Sequence, residues 1–200
     1  MRRGGTSALS TADVSPRSLE QPGLKPDRSP EISLVIPAWN EAAYLPRLLD
    51  TVDEARHRYE GGADAVEVIV ADNDSTDETS EIARARGCRV AHVAKRCIAA
   101  ARNGGAALAR GTLICFTDAD SLIHPETFNY VKAVMRRGGF IGGATGVEME
   151  RWSAGIAAAW CVIMLPLWSV GLDGGVWFCR RSDFERMGGF DERLLAAEDV

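Results

Sequence analysis

Residues 112–120 read TLICFTDAD, and the fold turns on how this stretch is understood. A β-branched, apolar run stops abruptly at two carboxylates, Asp118 and Asp120, separated by one small residue. Such a run reads as a buried strand that delivers charge to the carboxyl edge of a sheet. Open α/β sheets bind ligands at that edge. Two hard oxygen donors this close suit Mg2+ or Mn2+ bridging a substrate diphosphate better than they suit zinc. A solvated Asp-Ala-Asp turn is the alternative, because a lone D-x-D arises by chance. The surrounding sequence has to decide between them.

Working outward, strand-like runs alternate with helix-like ones from about residue 32 onward. Strands are expected at 33–36, 66–71, 89–93, 113–117 and 176–180, and amphipathic helices at 41–58, 76–86, 98–109 and 125–137. This alternation predicts an α/β fold, a mostly parallel central sheet flanked by helices. Ser75 or Thr76 is placed to cap the second helix, with Glu78 and Thr79 in its first turn. Residues 1–30, with Pro16, Pro22, Pro26 and Pro30 among Ser, Gly, Arg and Asp, show no periodicity and read as a flexible leader.

Two hundred residues, 46% hydrophobic and 26% charged, suit one domain with a substantial core. A net charge of −5 gives no electrostatic case for nucleic acid. The five cysteines are scattered and form no C-x-x-C, which fits reduced thiols in a cytoplasmic protein. No apolar stretch follows Arg2 and Arg3, so the start is not a secretory signal. Residues 152–172 (WSAGIAAAWCVIMLPLWSVGL) carry no charge, and three readings stay open for them. They could span a bilayer, although Pro166 interrupts them. They could form a buried core helix. They could also lie in a membrane interface anchored by Trp152, Trp160 and Trp168, giving peripheral association with the inner face of a membrane.

Polar clusters sit at three more strand ends: PAWNE after the first strand, DNDSTDET after the second, and DERLLAAED behind GGF near residue 200. Each alone could be turn chemistry. Together, SLVIPAWNEAAYLPRLLDTV, EVIVADNDSTDET, ARNGGAALARGTLICFTDAD and GGVWFCRRSDFERMGGFDERLLAAEDV resemble, in order, the motifs of family 2 glycosyltransferases of the GT-A fold. The resemblance runs from residue 32 to 200 and makes 31–200 the catalytic domain.

That resemblance implies roles for individual residues. Pro37 and Glu41 match the P-x-x-N-E motif, whose acid helps hold the nucleotide. Asp72 matches the acid that contacts the uracil or ribose, with Ser75 and Asp77 completing its loop. Arg102 and Asn103 match the A-R-N segment beside the donor. Asp118 and Asp120 match the D-x-D motif, Asp120 as the direct ligand of Mg2+ or Mn2+ and Asp118 nearer the ribose. Asp199 matches the second residue of the family's E-D pair, the catalytic base, and Gly175 and Arg181 fall in the segment before it. The implied reaction is inverting transfer of a sugar from a nucleotide-diphospho-sugar, UDP-linked by preference, to an acceptor hydroxyl on a glycan, lipid or small molecule.

There are departures. Asn73 stands where many members carry a second Asp, and the sequence stops one residue after Asp199, before the acceptor-binding helices such enzymes usually have. A truncated domain is therefore expected, and a non-catalytic nucleotide-sugar-binding subunit or inactive fragment stays open. Nucleotidyl transfer would need a Gly-rich, basic phosphate loop after the first strand, and PAWNEAAY is neither. No G-x-x-x-x-G-K-[ST] occurs, so P-loop chemistry is excluded. His57, His92 and His124 receive no role.

Overall fold

The computed structural model describes residues 29–146, 153, 155 and 175–193. The expected leader up to residue 28, the apolar stretch 152–172 apart from residues 153 and 155, and the acids Glu198 and Asp199 lie outside the described residues. The chain runs β1 (Ile32–Ala38), α1 (Leu45–Arg58), β2 (Val66–Asp72), α2 (Thr79–Ala85), β3 (Arg89–His92), α3 (Ile98–Ala107), β4 (Leu113–Phe116), α4 (Thr127–Arg136), β5 (Gly142–Ala144), β6 (Trp177–Arg180) and α5 (Arg181–Met187). The sheet order is β3-β2-β1-β4-β6-β5. Strands β1 to β4 are mutually parallel, and β6 runs antiparallel to both β4 and β5.

Every residue of β1 and β2 is buried, because helices cover both faces of the sheet. Side-chain alternation divides the core accordingly. Ile32, Leu34, Ile36, Val66, Val68, Val70 and Cys115 face α1 and α4, which contribute Leu45, Leu48, Val52, Phe128, Val131 and Met135. Val35, Ile69, Ala71, Ile114 and Phe116 face the other way, toward Ala101 of α3 and Phe184 of α5. In α1 the buried set Leu45, Leu48, Leu49, Val52 and Ala55 keeps the helical spacing that predicts it, and Arg56, His57 and Arg58 fill its last turn, where cations oppose the helix dipole. Helix α3 is built from Ala and Gly because it lies close on the sheet: a Cβ on Gly105 would come 2.4 Å from Cγ1 of the fully buried Val35.

Three expectations change. The last predicted strand exists but is antiparallel, and it pairs with β5, whose Gly142 and Gly143 carry no hydropathic pattern. Gly142 is required there, since a Cβ would meet the Phe178 carbonyl oxygen at 2.4 Å. Neither Ser75 nor Thr76 caps α2, which starts at Thr79. The Ser75 hydroxyl instead accepts the Asn40 N–H (3.0 Å), tying the loop after β2 to the loop after β1. Arg181 is far from the ligand edge, because β6 runs back along β4. Its backbone N–H donates to the Thr112 carbonyl and its Nε to the Gly111 carbonyl (2.9 Å), at the start of β4.

Among the described residues Cys88, Cys97, Cys115 and Cys179 are free thiols, and burial pushes those of Cys88 and Cys179 up to about 11. No helix among the described residues is long and apolar enough to cross a membrane.

Candidate active site

The parallel strands β1 to β4 end at one edge, and the chain order reverses there between β1 and β4. Such a switch point leaves a crevice, because the connections from the two neighbouring strands leave on opposite faces. A cavity of about 520 Å³ opens at this place, lined by Pro37, Ala38, Trp39, Glu41, Asn73, Arg96, Ile98, Ala101, Asp118, Ala119 and Asp120. Its size falls within the range of small-molecule sites.

The β1 loop is held in an unusual shape. Asn40 adopts φ 56°, and its side-chain oxygen accepts the Thr76 N–H at 2.8 Å. The Glu41 N–H donates to the Thr79 hydroxyl (2.8 Å) and the Ala42 N–H to Asp77 (3.1 Å). The DNDSTDET segment therefore fastens the PAWNE segment and fixes where Glu41 stands.

Glu41, Asp118 and Asp120 converge on the cavity. The Glu41 carboxyl titrates above its ordinary value, first because of burial and then because Asp120, Asp77 and Asp118 repel its charge. Asp118 accepts a hydrogen bond from Arg102 (3.0 Å). Among the described residues no basic side chain forms an ion pair with Glu41 or Asp120, whereas Arg102 pairs with Asp118. Trp39 and Arg96 line the same cavity, and the Arg96 guanidinium stacks 4.9 Å from the centre of the Trp39 ring. The first turn of α3 (Ile98, Ala101) contains no acid, so the positive end of that helix borders the same space.

Of the residues singled out from sequence, Pro37, Glu41, Asp118 and Asp120 line the cavity. Asp72 stands behind it, 4% exposed, with its oxygens taken by the Ser75 N–H (2.9 Å) and the Ser80 hydroxyl (2.5 Å). Burial alone would raise its pKa, but these donors and the nearby His92 bring it below the usual value. Ser75 joins the two loops, as described above. Arg102 reaches the site only through Asp118, and Asn103 turns away toward the segment 188–193. Gly175 sits at the near end of β6 against Thr145, where a Cβ would meet the Thr145 carbonyl oxygen at 2.3 Å.

Sequence reading missed Trp39, Arg96 and the role of Asn73. Asn73 is buried, and its amide nitrogen donates to the carbonyls of Val93 (2.9 Å) and Lys95 (2.6 Å). Its oxygen accepts the Cys97 N–H at 3.1 Å. An Asp here would set a carboxylate against two carbonyl oxygens, so Asn is the residue that pins the loop carrying Arg96. Trp39 sits inside the PAWNE motif, and an aromatic at a strand end beside polar groups was the available signal.

This arrangement defines a GT-A nucleotide-sugar transferase architecture. A mannosyltransferase from Pyrobaculum calidifontis in complex with GDP-Man and Mn2+ superposes with a TM-score of 0.65 at 22% identity, over 84% of this chain and 50% of that one. Glucosyl-3-phosphoglycerate synthase from Mycobacterium tuberculosis in complex with UDP gives 0.56 at 23% identity, over 77% of this chain and 57% of that one. The chain belongs to glycosyl transferase family 2, whose family model matches residues 33–160. Validoxylamine A glucosyltransferase of Streptomyces hygroscopicus subsp. jinggangensis is 37% identical over 112 residues, which is 53% of this chain and 25% of that protein. The chain thus spans about a quarter of the length of the curated relatives it matches.

Proposed function

We propose that the chain carries the donor site of an inverting glycosyltransferase that moves a sugar from a nucleoside diphosphate, UDP first among candidates, to an acceptor hydroxyl. The observation that carries this reading is that Glu41, Asp118 and Asp120 line the switch-point cavity together with the stacked pair Trp39 and Arg96. Trp39 offers a face for a base, and Arg96 and the positive end of α3 attract a diphosphate. The names of similar proteins support it: one transfers glucosyl groups, and one was solved with GDP-Man and Mn2+.

The donor set fits a hard divalent ion. Among the described residues no three His, Cys, Asp or Glu close into a metal cage. Mg2+ and Mn2+ commonly need only one or two protein carboxylates when substrate phosphates supply the rest. Asp120, unbridged and exposed at the cavity, would hold the ion, with Asp118 kept by Arg102 for the ribose side. When bound, the ion would neutralise the charge that builds on the departing diphosphate. Glu41 would orient the nucleotide. Asp199 would accept the acceptor's proton as its oxygen attacks the anomeric carbon from the face opposite the diphosphate. The new C–O bond forms, the bond to the phosphate oxygen breaks, and the nucleoside diphosphate leaves. A carboxylate of ordinary pKa near 4 suffices, because the proton moves late on an oxocarbenium-like carbon.

The test is release of nucleoside diphosphate from UDP-glucose, GDP-mannose and dTDP-glucose by the purified chain with Mn2+. Release from one of them, abolished by EDTA, is the expected result. Binding with no release under any condition would favour a nucleotide-sugar-binding subunit.

A further inference from the structure

We propose that Asn73 is a positioning residue of the donor site: it fixes the loop 93–97 so that Arg96 stands over Trp39, and nucleotide affinity depends on it through Arg96. The inference rests on the glycosyltransferase reading above and deepens it, because a buried neutral amide then helps to set the strength of donor binding. Asn73 follows β2 directly and borders the cavity, 7% exposed. Its backbone N–H donates to the carbonyl of Ala38 (2.8 Å), the neighbour of Trp39. Its side chain joins the loop between β3 and α3, with Nδ2 donating to the Val93 and Lys95 carbonyls and Oδ1 accepting the Cys97 N–H. Both amide hydrogens are thereby spent inside the protein, so Asn73 keeps no donor for a substrate. The three bonds require two donors and one acceptor on one short side chain, which asparagine supplies and an ionised aspartate does not.

The next residue holds the other end of Arg96. Asp74 adopts φ 64°, a left-handed conformation that Asp tolerates better than most residues. Its carbonyl accepts from Arg96 Nη2 (3.4 Å), and its carboxylate lies 3.7 Å from Arg96 Nε. Asn73 thus holds the backbone on both sides of Arg96, at Lys95 and Cys97, while Asp74 holds the guanidinium. Cys97 is also the residue before α3 and gives that helix no side-chain cap, so Asn73 Oδ1 takes one of the N–H groups at its start. The Arg96 side chain is 53% exposed, and fixing an exposed arginine on a ligand costs conformational entropy. A loop that already presents it removes part of that cost, so the contribution of Asn73 falls on affinity.

The experiment is a calorimetric titration of UDP, or of GDP if wild type binds that instead, with Mn2+ present. It compares wild type, Asn73→Asp, Asn73→Ala, Arg96→Ala and the double variant Asn73→Ala/Arg96→Ala. Asn73→Asp keeps the acceptor for Cys97 but sets a carboxylate against two carbonyls. Asn73→Ala removes all three bonds without adding charge, so either variant carries the test if the other does not fold. Arg96→Ala should raise Kd about 10- to 100-fold, the range for a hydrogen bond to a charged group. Each Asn73 single variant should raise it about 10-fold, the lower end of that range, and peptides covering 93–97 should exchange amide hydrogens faster. In the Arg96→Ala background the further change from Asn73→Ala should be no more than about twofold, because the residue through which Asn73 acts is already gone. A wild-type Kd in the Asn73 variants would overturn the inference. So would an undiminished loss in the double variant, which would make Asn73 a direct ligand or a general support of the fold. A wild type that binds neither UDP nor GDP would instead overturn the donor-site reading beneath it.

Discussion

Asp199→Asn is expected to lower the rate of sugar transfer by about 10²–10⁴ while leaving UDP affinity at its wild-type value, because a positioned base contributes about that much. Asparagine keeps the size and polarity of the side chain but cannot accept the acceptor's proton. The residues proposed to hold the donor, Glu41, Trp39, Arg96, Asp118 and Asp120, belong to the loops after β1, β3 and β4, so the substitution leaves them unaltered. Steady-state kinetics with calorimetric titration of UDP separates the two effects. Near-native turnover in the variant would remove Asp199 from the mechanism. Loss of turnover in step with loss of UDP binding would make it a donor ligand.

Glu67→Gln should cost about 3 kcal/mol of stability, the lower end for removing one partner of a buried ion pair, because its arginines are partly exposed. Glu67 is 9% exposed near the start of β2. Its Oε1 accepts the Ser33 hydroxyl (2.6 Å) and the Arg110 N–H (2.7 Å), and its Oε2 accepts from Arg89 (2.9 Å) and Arg110 Nε (3.1 Å). One carboxylate thus ties β1, β2, β3 and the start of β4 at the edge opposite the cavity. A Gln would turn an NH2 group toward one of these donors.

The pH dependence follows from the Glu67 carboxyl. Burial acts to raise its pKa, but hydrogen bonds from Ser33, the Arg110 backbone, Arg89 and the Arg110 side chain prevail, and it titrates below 4.5. The unfolded chain then binds more protons than the folded one as pH falls below that value. The stabilisation is present above about pH 4.5 and lost as pH falls through the lowered folded value. Denaturant midpoints of the two proteins should differ most near neutral pH and converge in acid. A gap that does not narrow at all as the pH falls would show that the loss comes from packing. Catalysis should suffer little, since Glu67 lies at the far edge of the sheet.

Much of this was legible in the sequence. Five strands and four helices were expected from periodicity alone, because apolar runs bounded by turn-forming residues mark the strands. Residue types at strand ends also gave Glu41, Asp118 and Asp120. Tertiary events hid the rest. The direction of β6 depends on its partner β4, and the two glycines of β5 have no pattern to read. Asp and Ser serve equally as acceptors for a substrate and as staples between loops, so the sequence alone does not show the stapling of Asp72 and Ser75. The hydrogen bonds show it: Asp72 accepts the Ser75 N–H, and Ser75 accepts the Asn40 N–H. Glu67 lay inside an apolar run where alternation would have sent it to solvent. Its partners, Ser33, Arg89 and Arg110, are too distant in sequence to announce themselves.

The central claim, a metal-assisted nucleotide site at the β1/β4 switch point, is tested most directly by calorimetric titration of UDP into the chain, with Mn2+ and with EDTA, alongside Asp120→Ala. The account predicts binding with Mn2+, strongly weakened by EDTA and lost in the variant. Equal UDP binding in all three titrations, or Mn2+-dependent binding that survives Asp120→Ala, would contradict it.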